Sequence, residues 1–158
     1  MAVAELIGAA IGVLLLVIVA YVLVGSTLTT AEIVATAQKD VTLLQESRIH
    51  TLFSLSNTAN TSTTITTDIT NSGTELIGDL THTDVLVYDA GSGYQYYKYS
   101  QGSATPGTWT VTNTYSEFLH PYELDPGEKY QIQVNLVSSS PQWFQVTTAN
   151  GVYASAFI

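Results

Sequence analysis

A run of nineteen residues without a charged side chain, from Leu6 to Val24, constrains the fold more than any other feature of this 158-residue chain. As an α-helix the run would be about 28 Å long, close to the ~30 Å hydrocarbon core of a membrane. Glu5 is the one acidic or basic side chain before Glu32. A carboxylate at the entry to a membrane span is costly unless it is paired. The run therefore predicts a segment that leaves water, and Glu5 indicates that this segment has a specific partner.

The helical pattern continues beyond the apolar run. Apolar residues recur at intervals of three and four over 30–50, while the charged residues fall mostly elsewhere, which is typical of an amphipathic helix. A helix from near residue 1 to about residue 46 would be about 70 Å long, more than twice the thickness of a bilayer. Gly8 and Gly12 form a G-x-x-x-G pair, which lets helix backbones approach closely. This pattern favours packing between helices over a plain tether.

The rest of the chain alternates between apolar and polar residues, as half-buried strands do. Turn-forming sequences, among them Asn150-Gly151, separate the alternating runs. We predict an α+β fold in which a long hydrophobic and amphipathic helix (1–48) precedes an immunoglobulin-like antiparallel β-sandwich (49–158). The eight predicted strands are 49–55, 63–70, 84–89, 94–99, 108–112, 129–136, 142–148 and 152–158.

A hydrophobic N-terminal helix with a glutamate at position five, followed by a β-rich domain, resembles type IV pilins and, more closely, the filament and accessory proteins of the archaellum. The β-rich part adds four runs that resemble archaellum accessory domains: 68–74 (DITNSGT), 84–89 (DVLVYD), 124–128 (LDPGE) and 146–152 (VTTANGV). In pilins, the glutamate at the fifth position of the processed protein can pair with the N-terminal amine of a neighbouring subunit. Counted from Met1, Glu5 fits that place, which implies a processed N-terminus at Met1.

The resemblance implies a structural subunit of an archaellum or a related pilus-like filament machine. It favours an accessory, stator-type component over the major filament subunit. The expected partners are further copies of the chain or related pilin-like subunits, the membrane around the helix, and the surface layer of the cell envelope. The expected location is a membrane anchor with an extracytoplasmic domain, or an extracellular filament. The residues expected to pack helices are Glu5, Ile7, Gly8, Ile11, Gly12, Leu14, Leu15, Ile18, Leu23, Val34, Val41 and Leu44.

Two alternative interpretations of the helix, and one alternative function for the domain, compete with this interpretation. The apolar run also fits an ordinary single-span anchor, whereas a signal peptide would carry a basic residue before the run. With a plain anchor, the sandwich would be a membrane-tethered binding or adhesion module. Four lysines and arginines against thirteen aspartates and glutamates disfavour nucleic acid as a partner.

Enzymatic chemistry has little support in the sequence. The chain has no cysteine, no G-x-S-x-G elbow, no P-loop and no dinucleotide fingerprint. We therefore expect no catalytic residue, no cofactor and no metal. His82 with Asp84 as metal ligands, and a calcium loop using Asp79, Asp84 and Asp89, are the weaker alternatives. The acids Glu123, Asp125 and Glu128 are expected to lie in a solvated turn.

Tyrosines and one asparagine are the remaining candidate functional residues. Alternation places Tyr97 and Tyr99 on one face of their strand and Tyr94 and Tyr96 on the other, so one pair should be buried and the other exposed. An exposed tyrosine pair could serve a protein interface. Asn60 begins an N-x-S/T sequon, Asn60-Thr61-Ser62, and is a candidate glycosylation site.

Overall fold

The computed structural model describes residues 2–78, 80–102, 105–115 and 119–158. The chain forms two compact units, Met1–Leu43 and Leu44–Ile158, and we call the second the β unit. Asp79, one acid of the calcium alternative, lies outside the described residues. The predicted division at residues 48 and 49 stays a prediction.

One α-helix, α1, runs without a break over Ala2–His50. It contains a segment long and apolar enough to cross a membrane, judged by length and composition. Threonines that follow the apolar run donate their hydroxyl protons to carbonyls one turn back; Thr27 to Leu23 O (2.8 Å) is an example. These bonds satisfy each hydroxyl inside the helix, so the threonines need no water beside them.

The predicted eight strands are confirmed. They are β1 (Phe53–Asn60), β2 (Thr64–Asn71), β3 (Asp84–Asp89), β4 (Gly93–Tyr99), β5 (Thr108–Thr114), β6 (Lys129–Asn135), β7 (Pro141–Thr147) and β8 (Tyr153–Phe157). A 3₁₀ turn, Leu80–His82, precedes β3. The strand order is β1-β2-β6-β5-β4-β3-β7-β8.

The sheet departs from a purely antiparallel sandwich at one place. Strands β1-β2-β6-β5 and strands β4-β3-β7-β8 are each antiparallel. A short parallel pairing of β4 with β5, Lys98 with Thr108 and Tyr99 with Trp109, joins these two halves into a nearly closed structure. The α+β class and the sandwich are therefore confirmed. The parallel pairing of β4 with β5 was not predicted.

The core lies between the two halves of the sheet. Fifteen apolar residues are buried there, and Trp109, Tyr97 and Phe144 are the largest of those without exposed surface. Tyr99 packs against Trp109 with ring centroids 4.8 Å apart. These aromatic residues bury the most apolar area per side chain, so they contribute most to holding the halves together.

The predicted first strand, 49–55, begins too early in the sequence. Ile49 and His50 still belong to α1, and the strand begins at Phe53. Thr51 extends the helical bonding, because its amide and its hydroxyl both donate to Ser47 O (3.0 and 2.8 Å). The alternation of Ile49, Thr51 and Phe53 therefore arose by coincidence where a helix ends and a strand begins.

Candidate functional site

Backbone amides of residues 72–75 cap the end of α1. Two of them donate to Leu52 O (2.8 and 2.7 Å) and two to His50 O (2.9 and 3.2 Å). His50 O is the last carbonyl of α1 and has no partner within the helix, so this segment satisfies a group that would otherwise need water. Leu52 O lies two residues beyond the helix. Residue 73 has to be glycine here, since a Cβ atom would lie well inside 3.0 Å of His50 O and Leu52 N.

A second turn binds the other side of the helix end. Arg48 Nε donates to Asn150 O (2.6 Å), and Asn150 Nδ2 donates to Thr51 Oγ1 (2.6 Å) and Ser47 Oγ (3.2 Å). The side-chain oxygen of Asn150 accepts a bond from Thr148 Oγ1 (2.7 Å), which fixes the orientation of the amide. Residues 146–152 therefore bind the last turn of α1 through hydrogen bonds.

Asn71 connects the cap to a third turn. Its side-chain Nδ2 donates to Glu75 O and to Leu124 O, both at 2.9 Å. Its backbone amide donates to Glu128 O (3.0 Å), and its Oδ1 accepts a bond from the amide of Gly73 (3.0 Å). Asn71 has no exposed surface. The runs 68–74, 124–128 and 146–152 thus meet around the end of the helix, although they are far apart in the sequence.

The prediction that the acids of residues 123–128 lie in a solvated turn is wrong. Asp125 is 7% exposed and Glu128 is fully buried. The Asp125 amide donates to Glu128 Oε2 (3.0 Å), and the Asp125 carboxylate lies 3.0 Å from the ring of His120. That hydrogen bond to Asp125 raises the pKa of His120. Asp125 and Glu128 are buried because they bind groups of their own turn, whereas Glu123 is only partly buried.

An ion pair lies on the outer face of β2 and β6. Lys129 Nζ is 2.6 Å from Asp68 Oδ2, and the Asp68 side chain is 2% exposed. Burial alone would raise the pKa of Asp68, but bonds from Lys129, Asn57 and Tyr115 outweigh it and hold the pKa below the usual range. The pair is also covered by the Tyr115 ring, which lies 4.7 Å from Lys129 Nζ. The Asp68 carboxylate is thus fully engaged within the fold, and the cluster is a structural feature.

Four aromatic residues form a continuous row on the outer face of β4-β3-β7-β8. Cross-strand pairing places Tyr94 opposite Tyr88, Tyr88 opposite Trp143, and Trp143 opposite Phe157. The rings of Tyr88 and Tyr94 are 5.0 Å apart, and those of Tyr94 and Trp143 are 6.5 Å apart, edge to face. Tyr94 is 70% exposed and Phe157 85%. We call Tyr94, Tyr88, Trp143 and Phe157 the aromatic row.

The tyrosines of β4 divide between the two faces as alternation requires. Tyr97 is fully buried and Tyr99 packs against the core, while Tyr94 and Tyr96 are exposed. Tyr96 lies beside the aromatic row and donates its hydroxyl to Asp84 Oδ1 (2.5 Å). Tyr97 and Tyr99 are therefore core residues and are removed from the candidate interface. Burial of these two phenols raises the pKa of each.

Sequence reasoning missed three members of the aromatic row. Tyr88, Trp143 and Phe157 lie on three strands that are separate in the sequence. The alternation of apolar and polar residues in each predicted strand is enough to place each of these side chains on an outer face. The row itself depends on which strands are neighbours, and the sequence did not reveal the strand order.

The helix-packing candidates all lie on α1 and all have open surfaces. Their apolar side chains are between 48% and 62% exposed, and a Cβ atom added at Gly8 or Gly12 would meet nothing within 4 Å. The residues concerned are Ile7, Ile11, Leu14, Leu15, Ile18, Leu23, Val34, Val41 and Leu44. Glu5 is also exposed, in the first turn. The helix therefore has a large apolar surface that no other described residue covers.

The metal alternatives gain no support. Within the described residues, no group of three or more histidines and acids is placed to hold a metal. Asp89 already accepts bonds from the amides of Gly91 (2.8 Å) and Ser140 (2.8 Å) and from the hydroxyl of Ser92 (2.9 Å). The Ser138 hydroxyl beside it and these donors hold the pKa of Asp89 well below its usual range. Asp84, at the other end of β3, accepts from Tyr96.

Comparison with solved structures gives two informative neighbours. One is the archaellum periplasmic stator protein FlaG from Sulfolobus acidocaldarius, which is 27% identical with a TM-score of 0.54 and aligns over 68% of this chain and 99% of its own. The other is from the complex of the stator proteins FlaF and FlaG of the same organism, with 29% identity, a TM-score of 0.50, and 67% and 87% of the two chains aligned. Comparison with protein-family models and with curated protein sequences finds no match.

Both neighbours are accessory proteins, and neither is a filament subunit. They share with this chain the β-stranded fold and more than a quarter of the aligned residues. The resemblance to archaellum accessory proteins is therefore confirmed, and the extracellular-filament alternative is not supported. The likeness to these stator proteins supports an accessory, stator-type component of the archaellum rather than the major filament subunit.

Proposed function

We propose that this protein is a structural stator subunit whose helix lies in the membrane and whose β unit lies outside the cytoplasm, where the aromatic row binds a second archaellum accessory subunit. The observation that carries the proposal is the aromatic row on a domain related to stator proteins. The related FlaG is described as periplasmic and has been found in complex with FlaF. This role needs binding surfaces and no catalytic group, so we assign the protein no enzymatic activity and no cofactor.

The chemistry of the row suits a contact between two proteins. Tyrosine and tryptophan are the residues in which interface binding energy concentrates, because they bury much area and lose little side-chain entropy. The same face has few charges: Lys98 at one end and Asp84, which is bonded to Tyr96. In a chain with a net charge of −9, this nearly neutral face adds little charge repulsion against a second subunit.

The aromatic row is tested by cross-linking in the full-length protein. A photoreactive residue at Phe157 should form adducts with a second archaellum accessory subunit in intact cells, while one at Thr112, on a strand of the other half of the sheet, should form none. The double change Tyr94→Ser with Phe157→Ser should lower recovery of that subunit at least tenfold, since both side chains are exposed and their loss leaves the core intact.

The matched control is Val137→Ser, which removes an equally exposed apolar side chain from the β6–β7 connection. Recovery of the partner should then equal that of the unchanged protein. Adducts with other copies of the chain, or with the surface layer, would contradict the chosen partner. Equal loss in Val137→Ser would show that the effect is not specific to the row.

For the helix, we propose packing against helices of neighbouring subunits on the side that carries Gly8 and Gly12. Small residues at this spacing allow close backbone contact in a membrane, and nothing occupies the space beside them. Glu5 would then pair with a group of the neighbouring helix, because an isolated carboxylate at a membrane boundary is costly. The exposed apolar positions listed above would contact lipid or other helices.

Gly12→Leu is expected to lower the yield of complexes extracted from membranes several-fold, because the larger side chain keeps the two helices apart. Gly25→Leu is the matched control, since Gly25 also has open space around it but lies outside the G-x-x-x-G pair. Fractionation of membranes followed by native electrophoresis measures both. Equal yields from the two variants would refute packing through Gly12, and recovery in the soluble fraction would refute the membrane location.

A further inference from the structure

We propose that Asn60 carries an N-linked glycan at the end of the β unit opposite the end of α1. The inference rests on the extracytoplasmic location proposed above, because N-glycosylation acts on exported chains. It concerns residues outside the aromatic row, and its test does not depend on binding by the row.

The sequon lies in an exposed hairpin connection. Asn60 is the last residue of β1, and the connection to β2 is exposed from residue 60 to residue 63. Thr61 turns into the connection: its amide donates to Thr64 O (2.8 Å), and its hydroxyl accepts a bond from the Thr64 amide (3.0 Å). The middle residue of the sequon thus fixes the loop, while Asn60 and Ser62 have no side-chain hydrogen bond within the described residues. A modifying enzyme needs both of these groups to be free.

The other asparagines of the β unit either donate side-chain hydrogen bonds within the fold or lie outside a sequon. Asn57, Asn71, Asn135 and Asn150 each donate a side-chain hydrogen bond inside the fold. Asn113 is exposed, with no side-chain bond among the described residues, but Tyr115 stands where a sequon needs serine or threonine. Asn60 alone combines an exposed, uncommitted amide with the sequon. Exposure and the lack of a side-chain hydrogen bond among the described residues therefore point to the same asparagine as the motif.

Asn60 lies at the end of β1 that is remote from the end of α1. Strand β1 begins three residues after the end of α1 and is eight residues long, so Asn60 lies about 20 Å from the helix end along the strand. β1 is an edge strand of the half β1-β2-β6-β5, whereas the aromatic row lies on the half β4-β3-β7-β8. A glycan at Asn60 would shield the tip of the β1–β2 hairpin.

The modification is a transfer of an oligosaccharide from a lipid-phosphate carrier. The Asn60 Nδ2 forms a bond to the anomeric carbon of the sugar as the bond between that carbon and the carrier phosphate oxygen breaks. Nδ2 loses one proton, and the lipid phosphate departs with the electron pair. The host's glycosylating enzyme and its lipid-linked sugar supply the other reactants. No oxidation or reduction is involved.

The test is mass spectrometry of the full-length protein purified from an archaeal host that performs N-glycosylation. The peptide containing Asn60 should be heavier by one glycan in the unchanged protein and in Ser62→Thr, which keeps the hydroxyl. Asn60→Gln and Ser62→Ala should each abolish the added mass. Asn113→Gln, the matched control at an exposed asparagine outside a sequon, should retain it.

Protease treatment of intact cells separates the two proposals. If the β unit is cleaved from outside while Asn60 is unmodified, the glycan proposal is overturned and the proposed location stands. If the β unit is protected inside the cell and Asn60 is unmodified, the proposed location is overturned and the glycan proposal falls with it. Added mass on Asn60 of externally cleaved protein, lost in both sequon variants, supports both.

Discussion

Gly73→Ala is expected to destabilise the β unit by about 3 kcal/mol, at the upper end of the usual cost of overpacking. The added methyl group would meet backbone atoms of His50 and Leu52, which cannot rotate away as a side chain can. Relief requires that residues 72–75 move off the helix end. The four amide bonds to Leu52 O and His50 O would then be lost or lengthened.

The measurement is denaturant unfolding of the full-length protein in detergent, followed by tryptophan fluorescence. Both tryptophans, Trp109 and Trp143, lie in the β unit, so the signal reports that unit and not the apolar helix. Ser72→Ala is the matched control at the neighbouring residue, whose exposed hydroxyl makes one bond of 3.2 Å. It should change the free energy of unfolding by less than about 1 kcal/mol. A Gly73→Ala protein as stable as Ser72→Ala would disprove the close approach.

Asn71→Ala is expected to lower the free energy of unfolding by about 3 kcal/mol. The change removes the three side-chain bonds of Asn71, to Glu75 O, Leu124 O and the Gly73 amide, in a place where Asn71 itself has no exposed surface. Each hydrogen bond lost in this way costs about 1 kcal/mol. Asn71→Asp should be at least as damaging, because a carboxylate would face the two carbonyl oxygens.

The same fluorescence assay measures this effect, and Asn113→Ala supplies the control. Asn113 is exposed, with no side-chain bond among the described residues, so its change should stay within about 0.5 kcal/mol of the unchanged protein. Asn71→Ala within that same margin would mean that water replaces the lost bonds and that Asn71 does not tie the turns together.

The elements that the sequence predicted well are those with a local pattern. The apolar run of α1 and the alternation of the strands are set by neighbours within a few residues, and so is the division of Tyr94 and Tyr96 from Tyr97. The end of α1 was misplaced because residues 49–55 fit both periods. Local pattern alone does not distinguish a helix end from a strand start there.

The features that could not be predicted depend on partners far away in the sequence. Glu128 is charged and follows a turn, so local reasoning placed it in water; the structure buries it beside Asn71, which is 57 positions earlier. The parallel contact of β4 with β5 and the aromatic row both follow from the strand order. Alternation says which face a side chain takes, but not which side chain lies beside it on the neighbouring strand.

The bonds at the end of α1 have a consequence for the conditions in which the protein works. Apart from the Arg48 guanidinium, these bonds join neutral partners: backbone amides, carbonyls, hydroxyls and the amides of Asn71 and Asn150. Dissolved ions screen interactions between charges and have little effect on bonds between neutral groups. The bonds that hold the helix end are therefore expected to weaken little between dilute and concentrated salt solutions.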